Sequence, residues 1–317
     1  MKDRMLQRIK GIHDFKVPLF VQQEALGLEV ETKIIGVPVK LCFPKPSADI
    51  LTANGPIPQL IPPSGAEKWE RNGILIDWGH TFSSDGISCV NSMAVYVDCC
   101  MEERDEYSQI LYKSIEKWEK KLLDYLNLVC RRITRNNEEV YCGLTLYSEH
   151  KLLPSNFICN LSFTIYENSD YVSSEQLKNA IYFASSDKTL LPEHEMLIAA
   201  FEAKRNNQNR QVVLDACAAL ELTIIRKIKE LAIAQGLNPD DIIERQARML
   251  GKRFDKLKKM DPNCPIESIE DSISSLRDGM MHGRIVYPTN EEVDQLLSTV
   301  ETLVDHYSPA NTYWNAG

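Results

Sequence analysis

The sequence predicts an α+β domain with a mainly antiparallel sheet, followed by an all-α helical bundle. Segments rich in β-branched and aromatic residues, bounded by Pro, Gly, Asn or Ser, are confined to residues 1–187. Beyond residue 187, apolar residues instead recur every three or four positions, which is the spacing of amphipathic helices. We therefore expect two domains, 1–187 and 188–317, each of ordinary domain size.

The predicted strands of the first domain are Lys33–Phe43, Gly73–Phe82, Ile87–Cys99, Glu139–Tyr147 and Phe157–Tyr166. Two helices are predicted between and after them, Arg104–Ile133 and Ser173–Ala184, from apolar residues at steps of three and four. Strands that precede and follow a helix in this way are typical of an α+β domain.

Five helices are predicted in the second domain. A proline near the start of a helix and a glycine after its end are the usual boundary signals, and both occur here. A heptad stripe runs through the fourth helix, and Thr289 with Glu292 forms a capping box for the last. The helices run from Leu191 to about Lys204, from Arg210 to Gln235, from Asn238 to about Met260, from Ile266 to Met280 and from Thr289 to Tyr307.

The composition excludes several classes of protein. A hydrophobic content of 44% excludes wholesale disorder. With 36 Lys plus Arg against 45 Asp plus Glu, the net charge of −9 argues against a surface that coats nucleic acid or anionic lipid throughout. No apolar run approaches the roughly 18 residues of a membrane helix, and the N-terminus lacks a signal-peptide pattern. We expect a cytoplasmic protein without membrane association.

Nine cysteines without a C-x-x-C pair are typical of reduced, mostly buried thiols. The histidines outside the motif described next have no metal-ligand spacing and are interpreted as structural or surface residues. These are His13, His80, His150, His194 and His306. We predict no metal site and no cofactor.

One short motif contains residue types suited to catalysis: Leu-Arg-Asp-Gly-Met-Met-His-Gly at positions 276–283. A histidine titrates near neutral pH, so it can accept the proton of an RNA 2′-hydroxyl or protonate the leaving 5′-oxygen. An arginine stays charged and stabilises the negative charge that develops on the phosphorane oxygens. Arg277 and His282 are therefore candidates for metal-free RNA cleavage, which leaves a 2′,3′-cyclic phosphate and a 5′-hydroxyl.

The spacing by itself is not specific, because Arg8 and His13 repeat it. Arg277 differs in context: it lies in a patterned helix and is followed by the acidic Asp278. On an ideal helix Asp278 would neighbour His282, whereas Arg277 and His282 would lie about 140° apart. Fraying of the helix at a glycine, or a partner chain that supplies half of the site, would resolve this difficulty. A structural alternative is that both cations stabilise the C-terminal end of a helix dipole.

Over about residues 190–307 the sequence resembles the HEPN superfamily, helical bundles defined by an arginine, a polar residue, a few variable residues and a histidine. The resemblance implies a metal-independent endoribonuclease of a toxin or antiviral system. Arg277 would stabilise the transition state, His282 would act as acid and base, and Asp278 would be the polar residue. Arg284 stands where some members have a tyrosine, and it would add a second cation near the phosphate. Residues 1–187 match no family and would sense a trigger or select the target.

The resemblance also implies partners: RNA, a second copy of the chain that completes a composite active site, and an antitoxin or trigger protein. The alternatives are a catalytically silent bundle that binds RNA or nucleotide or serves in dimerisation, and an activity in the first domain. Overexpression toxicity and cleavage of RNA in EDTA would separate the nuclease from the silent bundle.

Two further features belong to the predicted site. Glu221 flanks the buried stripe of its helix and is a candidate to orient Arg277 or His282; a solvated glutamate is the alternative. Cations at steps of 3-4-4-3 predict a basic ridge that would bind RNA phosphates, although such a ridge is also the ordinary solvent face of a helix. The ridge residues are Arg245, Arg248, Lys252, Lys256 and Lys259.

Overall fold

The strands of the first half of the chain precede most of the helices, in a mixed α+β fold. This computed structural model describes residues 6–49, 57–71, 74–81, 87–100, 102–130, 147–148, 151–152, 171–246, 249–267, 273, 276–277, 279–280, 282 and 287–313. The strands are β1 (Leu6–Val21), β2 (Glu29–Ile34), β3 (Val37–Cys42), β4 (Glu70–Arg71), β5 (Ile74–Leu75), β6 (Gly79–Thr81), β7 (Ser88–Cys100), β8 (Tyr147–Ser148) and β9 (Lys151–Leu152). The helices are α1 (Arg104–Cys130), α2 (Ser174–Ser185), α3 (Pro192–Arg205), α4 (Asn209–Ala234), α5 (Leu250–Met260) and α6 (Asn290–Tyr307).

Strand β7 is the centre of a five-stranded sheet in the order β1-β7-β3-β2, with β6 also paired to β7. All of these pairs are antiparallel, as the sequence predicted. The β-branched residues Val90, Val95 and Val97 of this central strand are buried in the first cluster of apolar side chains.

The predicted strand Lys33–Phe43 is confirmed in part: β3 lies within it, but Lys33 and Ile34 are the end of β2, so a turn interrupts the predicted strand. Strand β2 ends at Ile34 and β3 begins at Val37, so the loop between them has two residues. Both have positive φ, 47° at Ile35 and 82° at Gly36. Two such residues give the twist that suits a tight hairpin, and the glycine adopts this conformation without strain.

The other strand predictions have mixed outcomes. The strand Ile87–Cys99 is confirmed as β7. The predicted strand Gly73–Phe82 is interrupted between β5 and β6, where Gly79 has φ 107° and its N–H donates to Asp77. Strand β1 was not predicted; a register shift between Asp14 and Leu19 breaks its alternation of apolar and polar residues. The predicted strands 139–147 and 157–166 lie outside the described residues except for Tyr147, the first residue of β8.

Helices α1 and α2 confirm the two helices predicted in the first domain. Ser173 caps α2 through a capping box with Gln176. Both helices pack against each other and against the sheet. The resulting cluster of buried side chains includes Leu19, Met93 and Leu122.

Helices α3 to α6 surround a second cluster of buried side chains, and α4 contacts each of the other three. The predicted start of the last helix is confirmed, since Thr289 and Glu292 cap α6. No helix in the described ranges is both long and apolar enough to cross a membrane.

The predicted continuous helix from Asn238 to Met260 is wrong. A π-helical turn occupies Asp241–Gln246, and a separate helix, α5, begins at Leu250. Met249, the residue before α5, has the extended backbone angles φ −100° and ψ 149°. An extended residue cannot continue the i to i−4 hydrogen bonds of a helix, so the two segments are independent.

The two clusters of buried side chains do not divide the chain at a single point. Ile198 and Tyr313 belong to the first cluster, whereas Leu197 belongs to the second. The boundary at residue 187 therefore stays a prediction.

Candidate active site

Arg277 lies at the edge of the second buried cluster. Its predicted neighbours on the heptad stripe, Ile273, Leu276 and Met280, are buried and helical. Because Arg277 is adjacent to Leu276 along the helix, it cannot share the buried face fully, and its side chain is 35% exposed. The packing of this helical stretch thus places a guanidinium at the rim of the core.

Glu221 on α4 is the described partner of Arg277. The Nη2 atom of Arg277 donates to Oε2 of Glu221 over 3.2 Å. The Glu221 side chain is 24% exposed, so this pair is partly shielded from water. The interaction uses one of the five N–H donors of the guanidinium. The orienting role of Glu221 stays a prediction.

A second guanidinium, from Arg253 on α5, also contacts Glu221. Its Nη1 atom pairs with Oε1 of the carboxylate, and its side chain is 15% exposed. Each carboxylate oxygen of Glu221 therefore has a different arginine as its partner. No role for Arg253 was predicted from the sequence. The available signal was its position beside the buried Phe254, off the line of the predicted ridge.

His282 is exposed and lies in a turn, not in a helix. The angle of about 140° expected on an ideal helix therefore does not apply to Arg277 and His282. The other two motif residues, Asp278 and Arg284, lie outside the described residues. Arg8 and His13, which repeat the spacing, both lie in strand β1.

The predicted basic ridge is wrong as one continuous helix face, because the helix is broken at Met249. Three of its cations, Lys252, Lys256 and Lys259, lie on one face of α5, where Lys252 and Lys259 are exposed and Lys256 is half-buried. Arg245 belongs to the separate π-helical turn, and Arg248 lies outside the described residues. Their RNA-binding role stays a prediction.

A buried polar network lies at the junction of α3, α4 and the end of α6. Arg226 of α4 donates from Nε to Glu193 over 2.6 Å and from Nη2 to the carbonyl of Tyr307 over 2.9 Å. Ser308 donates to the same oxygen of Glu193 over 2.9 Å. Burial raises the pKa of Glu193, but hydrogen bonds from its own N–H, Arg226 and Ser308 outweigh this and lower the pKa overall. These hydrogen bonds hold α3, α4 and the end of α6 together, which is a structural role.

His194 belongs to the same junction. Its Nε2 atom lies 2.7 Å from the carbonyl of Ser308, and its Nδ1 atom lies 2.6 Å from the hydroxyl of Tyr313. Both ring nitrogens thus have partners, and burial lowers the pKa of the imidazole. This bonding agrees with a structural interpretation of His194.

Among the residues with described positions, no group of three or more His, Cys, Asp or Glu side chains is placed to hold a metal ion.

Comparison of the sequence with protein-family models and with curated proteins, and of the fold with solved structures, finds no match.

Proposed function

We propose that the protein is a metal-independent endoribonuclease of the HEPN kind. The observation that carries the proposal is the pairing of Arg277 with Glu221, which holds a guanidinium 35% exposed on a packed helix five residues before the exposed His282. Cleavage of an RNA phosphodiester without a metal requires a cation held in place to stabilise the developing charge and an imidazole that can reach the reacting oxygens.

The proposed reaction is attack of an RNA 2′-oxygen on the adjacent phosphorus. One base, His282 or its copy in a partner chain, takes the 2′-hydroxyl proton as the new P–O bond forms. The bond from phosphorus to the 5′-oxygen breaks, and that oxygen receives a proton from an acid. Arg277 stabilises the added charge on the non-bridging oxygens of the phosphorane. The products are a 2′,3′-cyclic phosphate and a 5′-hydroxyl.

The remaining residues have supporting roles in this proposal. Glu221 positions Arg277, and Lys252, Lys256 and Lys259 bind phosphates along the strand. In this proposal Asp278 is the polar residue of the motif and orients the imidazole, and Arg284, which replaces the tyrosine of some family members, adds a second cation near the phosphate. Helices α3 to α6 would form the HEPN-like bundle, in a cytoplasmic toxin or antiviral protein whose first domain senses a trigger or antitoxin.

The test is cleavage of cellular RNA by the purified chain in EDTA, with mapping of the 3′ ends. Arg277→Ala and His282→Ala are each expected to lower the rate about 10²- to 10⁴-fold and to abolish toxicity on overexpression. His306→Ala, which removes another exposed histidine from the end of α6, is the matched control and should cleave as the wild type does. Undiminished cleavage by both site variants would contradict the proposed chemistry.

The composite dimeric site has its own test. In a 1:1 mixture of Arg277→Ala and His282→Ala chains, half of the dimers would be mixed, and each mixed dimer would regain one intact site. About a quarter of wild-type activity should therefore return if one chain supplies the arginine and the other the histidine. A mixture as inactive as its components would exclude this sharing.

The second candidate is a bundle that binds RNA without cutting it, which the lysine face of α5 favours. A wild-type chain that binds RNA but leaves it uncut, with affinity that falls in a Lys252→Gln, Lys256→Gln and Lys259→Gln triple variant, would support this candidate instead.

A further inference from the structure

Two guanidinium groups converge on one carboxylate beside the proposed catalytic arginine. Glu221 of α4 accepts at Oε2 from Arg277 over 3.2 Å and at Oε1 from Arg253. The two arginines arrive from different segments, the helical stretch around Leu276 and helix α5. The carboxylate is thus held from both sides, which restricts rotation of its plane.

The charges of this trio have a consequence for phosphate binding. Glu221 and Arg277 alone would form a pair with no net charge, and a carboxylate directly beside the guanidinium would oppose the approach of an anionic phosphate. With Arg253 included, two positive charges and one negative charge leave a net charge of +1. Among these three groups, Glu221 can therefore orient Arg277 without cancelling their positive charge.

The burial of Arg253 separates its role from that of Arg277. Its side chain is 15% exposed, against 35% for Arg277. It lies on α5 between the buried residues Leu250, Phe254 and Leu257, which pack into the second cluster. Because so little of the Arg253 side chain reaches solvent, it is poorly placed to contact a long polyanion directly, and its described contact at this site is with Glu221.

We propose that Arg253 is a positioning residue of the RNA-cleaving site. It fixes Glu221 so that this carboxylate holds Arg277 toward solvent, and it supplies the charge that keeps the site attractive to phosphate. The inference rests on the proposed nuclease function and adds a residue and an electrostatic role to the same site.

The first measurement is kcat/KM for RNA cleavage by Arg253→Gln. We expect it to fall about 10- to 100-fold, because Arg277 is no longer held in a fixed position and the three groups lose their net positive charge. Arg253→Lys keeps the charge and is expected to retain most of the activity. Lys258→Gln removes one positive charge from an exposed position of the same helix and is the matched control. It should leave kcat/KM unchanged.

The decisive variant combines Glu221→Gln with Arg253→Gln. It restores the net charge of +1 and keeps an amide oxygen that can accept from Arg277. We expect it to recover about tenfold over Arg253→Gln, a coupling that independent structural roles would not produce. Circular dichroism and thermal unfolding of each variant establish that it is folded.

The outcomes distinguish this inference from the function on which it rests. Cleavage by the wild type together with unchanged cleavage by folded Arg253→Gln overturns the inference and leaves the nuclease standing. Loss of activity in Arg253→Gln without recovery in the double variant also overturns it, because Arg253 would then be merely structural. A wild type that cuts no RNA overturns the proposed function, and the inference with it.

Discussion

At the scale of single residues, His194 shows how burial decides the protonation state of a side chain. The carbonyl of Ser308 can only accept, so the Nε2 atom of His194 carries a proton and donates to it. The neutral ring then accepts at Nδ1 from the hydroxyl of Tyr313, which itself accepts from the N–H of Leu191. Burial raises the pKa of Tyr313 to about 12, so its hydroxyl remains a donor at neutral pH. This chain of bonds is complete only while His194 is neutral.

The free energy of unfolding should therefore depend on the protonation of His194. Burial lowers the pKa of this imidazole in the folded state, while an unfolded histidine titrates at about 6.5. Below about pH 6.5 the unfolded state therefore binds a proton at this histidine more readily than the folded state does. The stability contributed by neutral His194 is present above about pH 6.5 and is lost as the pH falls toward the folded pKa. Urea unfolding at a series of pH values from 7.5 to about 5 measures this slope.

His194→Gln should remove the contribution of this residue to the slope, because a glutamine amide can donate to Ser308 and accept from Tyr313 without titrating. His306→Gln changes an exposed histidine of α6 and should keep the wild-type slope. Identical slopes for wild type and His194→Gln would contradict the assigned protonation. The lowered pKa of Glu193 acts at more acid pH, since a carboxyl titrates near 4.

At the scale of elements, the pairing of strand β6 with strand β7 depends on one glycine. Gly79 has φ 107°, and a Cβ atom built on it would lie 1.9 Å from the carbonyl oxygen of Cys89. Gly79 opens β6, whose residues pair with the first residues of β7. Neither the backbone angle nor the close approach tolerates a side chain, so strand pairing here requires glycine.

Gly79→Ala is expected to destabilise the protein by at least about 3 kcal/mol, through backbone strain and displacement of β7. Gly251→Ala is the matched control: Gly251 lies in α5 with open space around its Cα, and alanine there should stabilise the helix by about 0.5 kcal/mol. Chemical denaturation compares the two. A Gly79→Ala protein as stable as the wild type would show that β6 and β7 can separate without cost.

The break before α5 also belongs to the scale of elements. Met249 interrupts the helix that the spacing of Ile243, Leu250 and Phe254 predicted, and α5 then packs on α4 as an independent element. Helix α5 begins after this break, and its residue Arg253 pairs with Glu221 of α4. Local periodicity correctly identified the buried face but not the break.

At the scale of the whole molecule, Tyr313 connects the parts of the fold. Its ring packs edge-on against Phe183 of α2 with centroids 5.0 Å apart, and its hydroxyl contacts His194 of α3. Tyr313 follows α6 in a short 3-10 helix, Ala310–Tyr313, and its carbonyl accepts from Lys188. The end of the described chain thus fastens the last helix to the first buried cluster.

Tyr313→Ala is expected to lower the free energy of unfolding by about 3–5 kcal/mol, because it removes a buried aromatic ring. Tyr313→Phe keeps the ring but removes the hydroxyl that bonds Nδ1 of His194 and the N–H of Leu191, which should cost about 1–3 kcal/mol. Tyr287, whose side chain is 83% exposed, is the control, and Tyr287→Ala should change stability by less than about 0.5 kcal/mol. Equal stability of the two alanine variants would contradict this role of Tyr313.

Much of the architecture follows from local pattern. Apolar spacing located α1, α3, α4 and α6 within a few residues, and the capping box at Thr289 marked the start of α6. These signals work because the buried face of a helix must repeat every three to four residues. Strand bounds were less predictable, since Ile35 and Gly36 turn the chain inside a segment that reads as continuously extended.

The sequence by itself determined the mixed α+β class, most helices and the candidate pair Arg277 and His282. Periodicity, helix caps and residue types suited to catalysis can all be recognised from residues that are close together in the sequence. Only the tertiary structure decided that Glu221 meets both Arg277 and Arg253. Thirty-two residues separate Glu221 from Arg253 and 56 separate it from Arg277. Contacts over such distances depend on how helices cross and pack, and no local spacing records that geometry.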